Sequence, residues 1–221
     1  MDEVAKYIIL FMVYSVFGWL AEKIVVSIEE GKIVYRGFLI GPYLPIYGVG
    51  AVFVALTMNR YADDPLALFL ISACVCGVLE YVTSFVLEKI FHARWWDYKK
   101  WPFNINGRIC LQNLFAFGVA AILAVRYTNP VLFGFMNTLP SAALILTAVI
   151  FAVIMITDII VSATTLKTVR AAGKKTDYDA SGELKRQFFN DLSSKTYRYR
   201  RLPKAFPNFE YTKKKPKKTK K

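Results

Sequence analysis

The chain has 221 residues, of which 55% are hydrophobic, and its mean hydropathy is +0.35. These values exclude an ordinary soluble domain, in which apolar and polar residues alternate along each element. The formal net charge of +13 is concentrated at one end. Residues 1–166 carry 11 basic and 11 acidic side chains, whereas residues 167–221 carry 18 basic and 5 acidic ones. The composition therefore indicates a membrane-embedded part followed by a basic tail.

Five apolar stretches follow one another, and we predict that each is a transmembrane helix. At 1.5 Å per residue they are about long enough to cross roughly 30 Å of hydrocarbon. They cover residues 4–26, 42–58, 65–87, 109–125 and 140–164. The second, which is as short as the fourth, holds two prolines and two glycines, so four spans plus a re-entrant segment are the alternative. The sequence leaves open whether residues 36–50 re-enter the membrane or begin a full span.

The distribution of basic residues predicts an orientation. A tail this basic stays on the cytoplasmic side, so with five spans the amino terminus lies outside. Lys32, Arg36 and the basic residues between the third and fourth spans then also face the cytoplasm, while Arg126 falls on an outer connection. We therefore predict an all-α, polytopic membrane bundle with about five helices, N-out/C-in. Its two parts are a transmembrane domain (1–166) and a cytoplasmic tail (167–221).

The tail has its own predicted role. Residues 180–209 mix aromatic with basic residues, as an amphipathic surface segment does, and residues 213–221 are almost purely basic. Such a run is attracted to anionic lipid headgroups. No nucleic-acid-binding motif accompanies it, so we do not expect nucleic acid to be a partner.

Ionisable residues inside the apolar stretches are the main functional signal. Glu22, Glu80 and Asp158 lie in three different spans, all in the predicted cytoplasmic half. A charge in hydrocarbon costs about 2.5–3.5 kcal/mol on insertion scales, so each needs a partner, a proton or water. Residues spaced four apart share a helix face, which places Cys76, Glu80, Ser84 and Glu88 in one stripe. These stripes are expected to face one another and form a polar site.

Two connections add candidates to that site, namely residues 36–50 (RGFLIGPYLPIYGVG) and 94–113 (RWWDYKKWPFNINGRICLQN). Arg36 and Arg108 are the expected partners of Glu22 and Glu80, because guanidinium pairs with carboxylate in a bidentate fork. We expect Glu88 to be interfacial only. The bland alternative is that these pairs merely hold helices together. The full predicted substrate-binding set is Glu22, Arg36, Tyr47, Glu80, Trp96, Asp97, Asn104, Asn106 and Arg108, with Asp158 as an additional buried acid.

Signatures of catalysis are not found in the sequence. It contains no Walker-type phosphate loop, no HExxH, no GxSxG and no Cys/His ligand spacing. We therefore predict no catalytic residue, no metal site and no cofactor, and we lean away from an enzyme. The three cysteines are expected to be packing residues.

Several motifs together resemble a known family. These are Gly18-Trp19-x-x-Glu22, the run RGFLIGPYLPIYG at 36–48, and WDY at 96–98 followed by FNINGRIC at 103–110. They are similar to a family of bacterial integral membrane proteins known as putative ABC-transporter permease components. The resemblance covers about residues 10–165, and RYRRLPKAFPNF at 198–209 is similar to the family's usual end. The chain departs from the pattern after the NGRIC motif, where it reads Asn113 and then Phe117–Gly118.

The sequence thus predicts a multi-pass transporter component of the bacterial cytoplasmic membrane. Its polar pocket would face the cytoplasm and take a small solute or a lipid headgroup. A short bundle offers little room for a full pathway, so the expected partner is either a separate ATPase subunit or another copy of the chain in a homo-oligomer. The alternatives are a lipid-modifying enzyme at the inner leaflet, with Glu80 or Asp97 as acid/base, and an accessory or scaffold subunit.

Overall fold

Six α-helices make up most of the computed structural model, which describes residues 1–31, 33, 37, 39–91 and 96–175. For residues 29, 30, 91 and 166–175 it describes the backbone only. A 3₁₀ turn (Asn59–Tyr61) follows α2, and a π-helical turn (Ala124–Thr128) joins α4 to α5. The helices are α1 (Asp2–Glu30), α2 (Pro45–Thr57), α3 (Pro65–Phe91), α4 (Leu111–Leu123), α5 (Asn129–Asn137) and α6 (Ser141–Lys175).

Four helical runs are long and apolar enough to cross a membrane. They are Asp2–Ile28, Pro65–Ile90, Leu111–Asn137 and Ser141–Thr165. The described part of the chain contains no strand. The prediction of an all-α, polytopic membrane bundle is therefore confirmed, while the N-out/C-in orientation stays a prediction.

The fifth apolar segment differs from the other four. Helix α2 has 13 residues, which is about 20 Å at 1.5 Å per residue and too short for a full crossing. It begins beside the middle of α1, where the Leu44 amide donates to the backbone oxygen of Ser15 at 2.8 Å. Residues 39–44 precede it as non-helical coil. The described part of residues 36–50 is thus a coil that leads into a short helix at mid-depth.

The fourth span is longer than predicted. Its expected end at residue 125 is wrong, because the helical run continues to Asn137 and includes Arg126. A proline inside a helix clashes with the carbonyl four residues earlier, and for Pro130 that residue is Arg126. The π-helical turn Ala124–Thr128 lies at this point, so the wider turn accommodates the proline without ending the helix.

Packing divides the bundle into two groups of helices. Helix α1 packs on α2 and α6 in one group, and α3 packs on α4 in the other. Glycines lie at a close approach in each group, since a Cβ on Gly48 would meet the backbone of α1 and one on Gly118 would meet Phe69. Near the middle of α1 the Tyr14 hydroxyl contacts the Thr128 hydroxyl and donates to Asn129 Oδ1 at 2.7 Å. Contacts between the two groups therefore include polar ones.

The carboxyl end of the described chain is helical beyond the predicted domain boundary. The backbone of α6 continues past residue 166 to Lys175. The predicted amphipathic and basic segments of the tail, from residue 180 onward, lie outside the described residues.

Candidate binding site

The loop that connects α3 to α4 is held by hydrogen bonds within its own backbone. It carries polar groups to the ends of both helices. The Tyr98 amide donates to the Gly107 carbonyl at 2.8 Å, and the Ile105 amide donates to the Ile109 carbonyl at 2.9 Å. Asn106 and Gly107 adopt φ values of 54° and 67°, a region that Gly and Asn enter most easily. The FNINGRIC motif is therefore a turn sequence, and its backbone bonds hold Tyr98 and Arg108 in fixed positions.

Glu80 lies at the centre of the cluster that this loop completes. Its Oε1 accepts a hydrogen bond from the Tyr98 hydroxyl at 3.1 Å and one from Asn113 Nδ2 at 3.2 Å. The residue is only 6% exposed. Its Oε2 is buried and has no hydrogen-bond partner in the described part of the chain. Leaving a buried polar atom unpaired costs about 1–3 kcal/mol, and more for a charged group. We call Glu80, Tyr98 and Asn113 the Glu80 site.

Glu22 and Tyr47 belong to the same electrostatic neighbourhood. Burial raises the pKa of Tyr98, and the negative charges of Glu80 and Glu22 raise it further, while a hydrogen bond with Asn113 opposes the shift. Tyr98 therefore stays a neutral hydroxyl that donates to Glu80 at any ordinary pH. Among the predicted residues, Glu80 contacts Tyr98 directly, and Glu22 and Tyr47 act on it electrostatically.

Tyr47 reaches this neighbourhood across the surface of α1. A Cβ added to Gly18 would collide with the Cβ and ring atoms of Tyr47. The tyrosine, in the first turn of α2, therefore packs directly on the glycine. Residues 14, 18 and 22 lie four apart on α1, so this contact falls between Tyr14 and Glu22 on one helix face. The small residue at position 18 is what allows Tyr47 to lie there.

Arg108 has a different partner from the expected one. Its Nη1 lies 2.9 Å from Glu88 Oε2 and 3.4 Å from the Ser84 hydroxyl. The guanidinium also lies over the rings of Tyr81 and Phe85, with centroid distances of 5.7 and 5.4 Å. The expected pairing of Arg108 with Glu80 or Glu22 is therefore wrong, and Glu88 is more than interfacial. Glu88 is two turns beyond Glu80 on α3, and the loop delivers Arg108 to that level.

Asp158 lies in a separate polar cluster on α6. Its carboxylate accepts four hydrogen bonds, from the amides of Ile40 and Gly41, the hydroxyl of Tyr43 and the hydroxyl of Ser162, at 2.8, 2.7, 2.6 and 2.8 Å. The coil at 39–44 lacks internal helical bonds, and non-helical backbone at membrane depth needs partners from the protein. Asp158 supplies them. It thus anchors the coil and lies apart from the contacts of the Glu80 site.

The remaining predicted residues are distributed over the loop. The Trp96 indole donates to the Arg108 carbonyl at 3.0 Å, and Asn104 Oδ1 accepts from the Gly107 amide at 3.0 Å. Exposed Asn106 donates to the Tyr81 hydroxyl at 2.8 Å. Asp97 is exposed and accepts from the Lys99 amide at 3.0 Å. These contacts brace the loop, and none of them joins Glu80. Arg36 lies outside the described residues.

Four side chains of the two clusters were not in the predicted set. Tyr98 and Asn113 donate to Glu80, and Tyr43 and Ser162 donate to Asp158. Asn113 lies in the first turn of α4, directly after the loop motif, which was a usable signal. Nothing in the sequence distinguishes Tyr98 from the neighbouring aromatic residues, because its role depends on how the loop closes.

The cavity beside α2 is of another kind. It has a volume of about 550 Å³ and lies between α1, α2 and α6. Its lining is almost wholly apolar and includes Phe11, Phe53, Phe151 and Met155. None of the predicted site residues lines it, so it is separate from the Glu80 site.

These features define the class of the protein: a multi-pass helical membrane protein with a half-length helix and two buried acidic clusters. The comparison with family models adds the particular family. The model described as "Putative ABC-transporter type IV" matches residues 9–163, which is well over half of the chain. The chain belongs to this family, and its fold fits a membrane component of a transporter. Neither a curated protein nor a solved structure matches it.

Proposed function

We propose that this protein is the membrane-spanning component of a transporter in the bacterial cytoplasmic membrane and that its solute binds at the Glu80 site. One observation carries the proposal. Both described donors to Glu80 go to Oε1, while the buried Oε2 has no partner in the described part of the chain. A buried polar atom without a hydrogen-bond partner lowers the stability of the folded protein. Such atoms are usually found at functional sites.

The elements around the Glu80 site support the proposal that a segment beside it moves during transport. Tyr47 packs on Gly18 and lies in the short helix that follows the coil. Interrupted helices near mid-depth are where many transporters bind their substrates. Movement of this short helix would carry Tyr47 along α1 without breaking a full-length helix. The site lies beside the loop between α3 and α4, which we predict to be cytoplasmic.

The family assignment supports a separate ATPase subunit as the source of energy. We propose that it docks on the cytoplasmic side. The basic tail, residues 167–221, would hold that side close to anionic lipid headgroups. Homo-oligomers are a further expectation, because a short bundle offers little room for a full transport pathway.

The geometry supports this transporter over the lipid-modifying enzyme. In the enzyme, Arg108 would hold an anionic headgroup next to Glu80 or Asp97. Arg108 is instead within 2.9 Å of Glu88, and Asp97 is exposed. Releasing Arg108 for a headgroup would break this partly buried ion pair, which is costly.

The test is solute movement in membrane vesicles from cells that overproduce the protein. A panel of labelled amines, amino acids, sugars and organic anions is compared between the parent and Glu80→Gln. We expect a solute whose movement falls at least tenfold in the variant, with Asp63→Asn, an exposed acid at the other end of α3, as the matched control. A folded Glu80→Gln protein that moves every solute at the parent's rate would overturn the proposal.

A further inference from the structure

We propose that the surface around Arg126 is a contact face for a membrane helix of another protein, and that this helix carries a carboxylate near the middle of the bilayer. Arg126 takes no part in the contacts of the Glu80 site, so the proposal stands whatever solute binds there. Three properties of Arg126 support it: its depth, its lack of a partner within the described chain and the open surface beside it.

Arg126 lies deep inside the fourth span. Along the helix it is about 22 Å from one end of the run Leu111–Asn137 and about 16 Å from the other, at 1.5 Å per residue. The neighbouring helix gives the same depth, because Thr128 contacts the hydroxyl of Tyr14, close to the middle of the first span, Asp2–Ile28. The nearer end is further away than an arginine side chain extends. The guanidinium therefore does not reach the lipid headgroups unless the bilayer thins around it.

The charge of Arg126 is not compensated within the described part of the chain. Its side chain is exposed and makes no hydrogen bond or ion pair with another described residue. A charged residue at the centre of a membrane helix costs about 2.5–3.5 kcal/mol on insertion scales, and such residues are almost always paired or beside water. We therefore expect this guanidinium to gain its partner when the protein assembles with another membrane protein.

The surface beyond Arg126 is open enough to admit a second helix. Pro130 and Gly134 follow it along the chain, and both are exposed. A Cβ added to Gly134 would meet no other atom within 4 Å. Small residues on a membrane helix allow another helix to approach closely. The arginine supplies the charge that selects the partner, because guanidinium pairs with carboxylate in a bidentate fork.

A second copy of this chain offers no suitable carboxylate from its described spans. Copies that share one orientation in a membrane keep equivalent residues at equal depths. The acids of the described spans are Asp2, Glu3, Glu22, Glu80, Glu88 and Asp158. Each of them is buried in its own chain, paired within it or close to an end of its span. Charge complementarity at mid-depth therefore points to a different protein.

The experiment measures how synthetic membrane helices bind the full-length protein in vesicles of phosphatidylcholine, by resonance energy transfer between labelled peptide and labelled protein. Four leucine-alanine peptides of about 21 residues carry a central glutamate, a central glutamine, a central lysine, or a glutamate in the last turn. We expect the central glutamate to bind at least tenfold more tightly than the other three. Equal binding of the glutamate and glutamine peptides, or a preference for the terminal glutamate, would overturn the proposal.

Substitutions at Arg126 locate the effect. Arg126→Leu should bind the central glutamate and glutamine peptides alike, and Arg126→Glu should prefer the lysine peptide. Arg60→Leu is the matched control, since Arg60 is exposed but lies outside the four spans, and it should behave as the parent. A glutamate preference that survives Arg126→Leu would overturn the proposal. The four-peptide comparison on the parent protein stands by itself where a variant does not fold.

Three further measurements test the choice of partner. Arg126→Leu should unfold at the Tm of the parent or above it, whereas a Tm below that of Arg60→Leu would assign Arg126 to the packing of a single chain. Energy transfer between two labelled copies that is lost in Arg126→Leu would assign the face to a homo-oligomer. Loss of the glutamate preference in vesicles rich in phosphatidylglycerol would assign it to a lipid phosphate. Each of these three results would overturn the proposal.

Discussion

Two buried carboxylates in this bundle have opposite surroundings. Asp158 is 8% exposed and accepts four hydrogen bonds from described groups. Glu80 is 6% exposed, and only one of its oxygens has partners. A carboxylate with every donor in place stabilises the structure around it, whereas one with a missing donor leaves room for a ligand. The comparison teaches that burial of an acid does not by itself indicate a binding site; the count of its donors does.

The largest loss of stability is expected from a substitution at Asp158. We expect Asp158→Ala to leave two amides and two hydroxyls without their acceptor, at about 1–3 kcal/mol for each buried group. The variant should lose several kcal/mol of stability or fail to accumulate as folded protein. Thermal unfolding in detergent, followed by tryptophan fluorescence, measures this loss. Ser162→Ala removes a single donor and is the milder control. Parent-like unfolding of Asp158→Ala would show that the coil does not depend on this carboxylate.

A second substitution tests the ion pair that keeps Arg108 away from Glu80. Glu88→Gln should cost about 1.5–3 kcal/mol, because it removes the charged partner of a guanidinium that is largely buried. The loss is read from the same unfolding curves. Lys99 and Asp97 form an exposed pair at 3.5 Å, so Asp97→Asn is the control and should have almost no effect. Equal effects of the two substitutions would contradict the assigned pairing.

A third substitution concerns the contact between the coil-and-helix segment and α1. Gly18→Ala forces a methyl group onto Tyr47, and overpacking of this kind costs about 1–3 kcal/mol. Gly50→Ala is the matched control on α2, because no atom lies within 4 Å of the added carbon. Combining Gly18→Ala with Tyr47→Ala should recover part of the loss. If the double variant is no better than Gly18→Ala, the methyl group acts elsewhere.

The smallest effect on stability is expected at Glu80 itself. Glu80→Gln keeps an oxygen for Tyr98 and Asn113 and removes an acceptor that no described group uses. Its free energy of unfolding should change by less than about 1 kcal/mol, although transport is lost. Unfolding curves measure the stability of the variant, and vesicles from the same preparation measure its transport. A large loss of stability would place Glu80 with Asp158 as a structural acid.

Much of the fold could be predicted from the sequence, since four long apolar runs can hardly be anything but membrane helices. The stripe that joins Glu80, Ser84 and Glu88 also follows from helical periodicity alone. The partner of Arg108 does not, because it depends on how the loop at 96–110 closes. The end of the fourth span was missed for a related reason: Arg126 was placed on an outer connection, and the π-helical turn that accommodates Pro130 has no clear sequence signal.

The role of Asp158 was the hardest to foresee. A lone acid in a long apolar helix suggests chemistry, and only the position of the coil at 39–44 reveals a structural use. Local patterns cannot report a contact between residues more than 110 positions apart. Three of its four partners lie 115 to 118 positions away, and the fourth, Ser162, is on the same helix.

That long separation has a consequence for how the protein is made. The amides of Ile40 and Gly41 leave the ribosome long before residue 158 does, and in lipid they have no substitute acceptor. The coil at 39–44 and the short helix α2 therefore cannot settle at their final depth during early synthesis. They have to wait at the interface or beside the insertion machinery until the last helix arrives, so the amino-terminal half completes its insertion only at the end of translation.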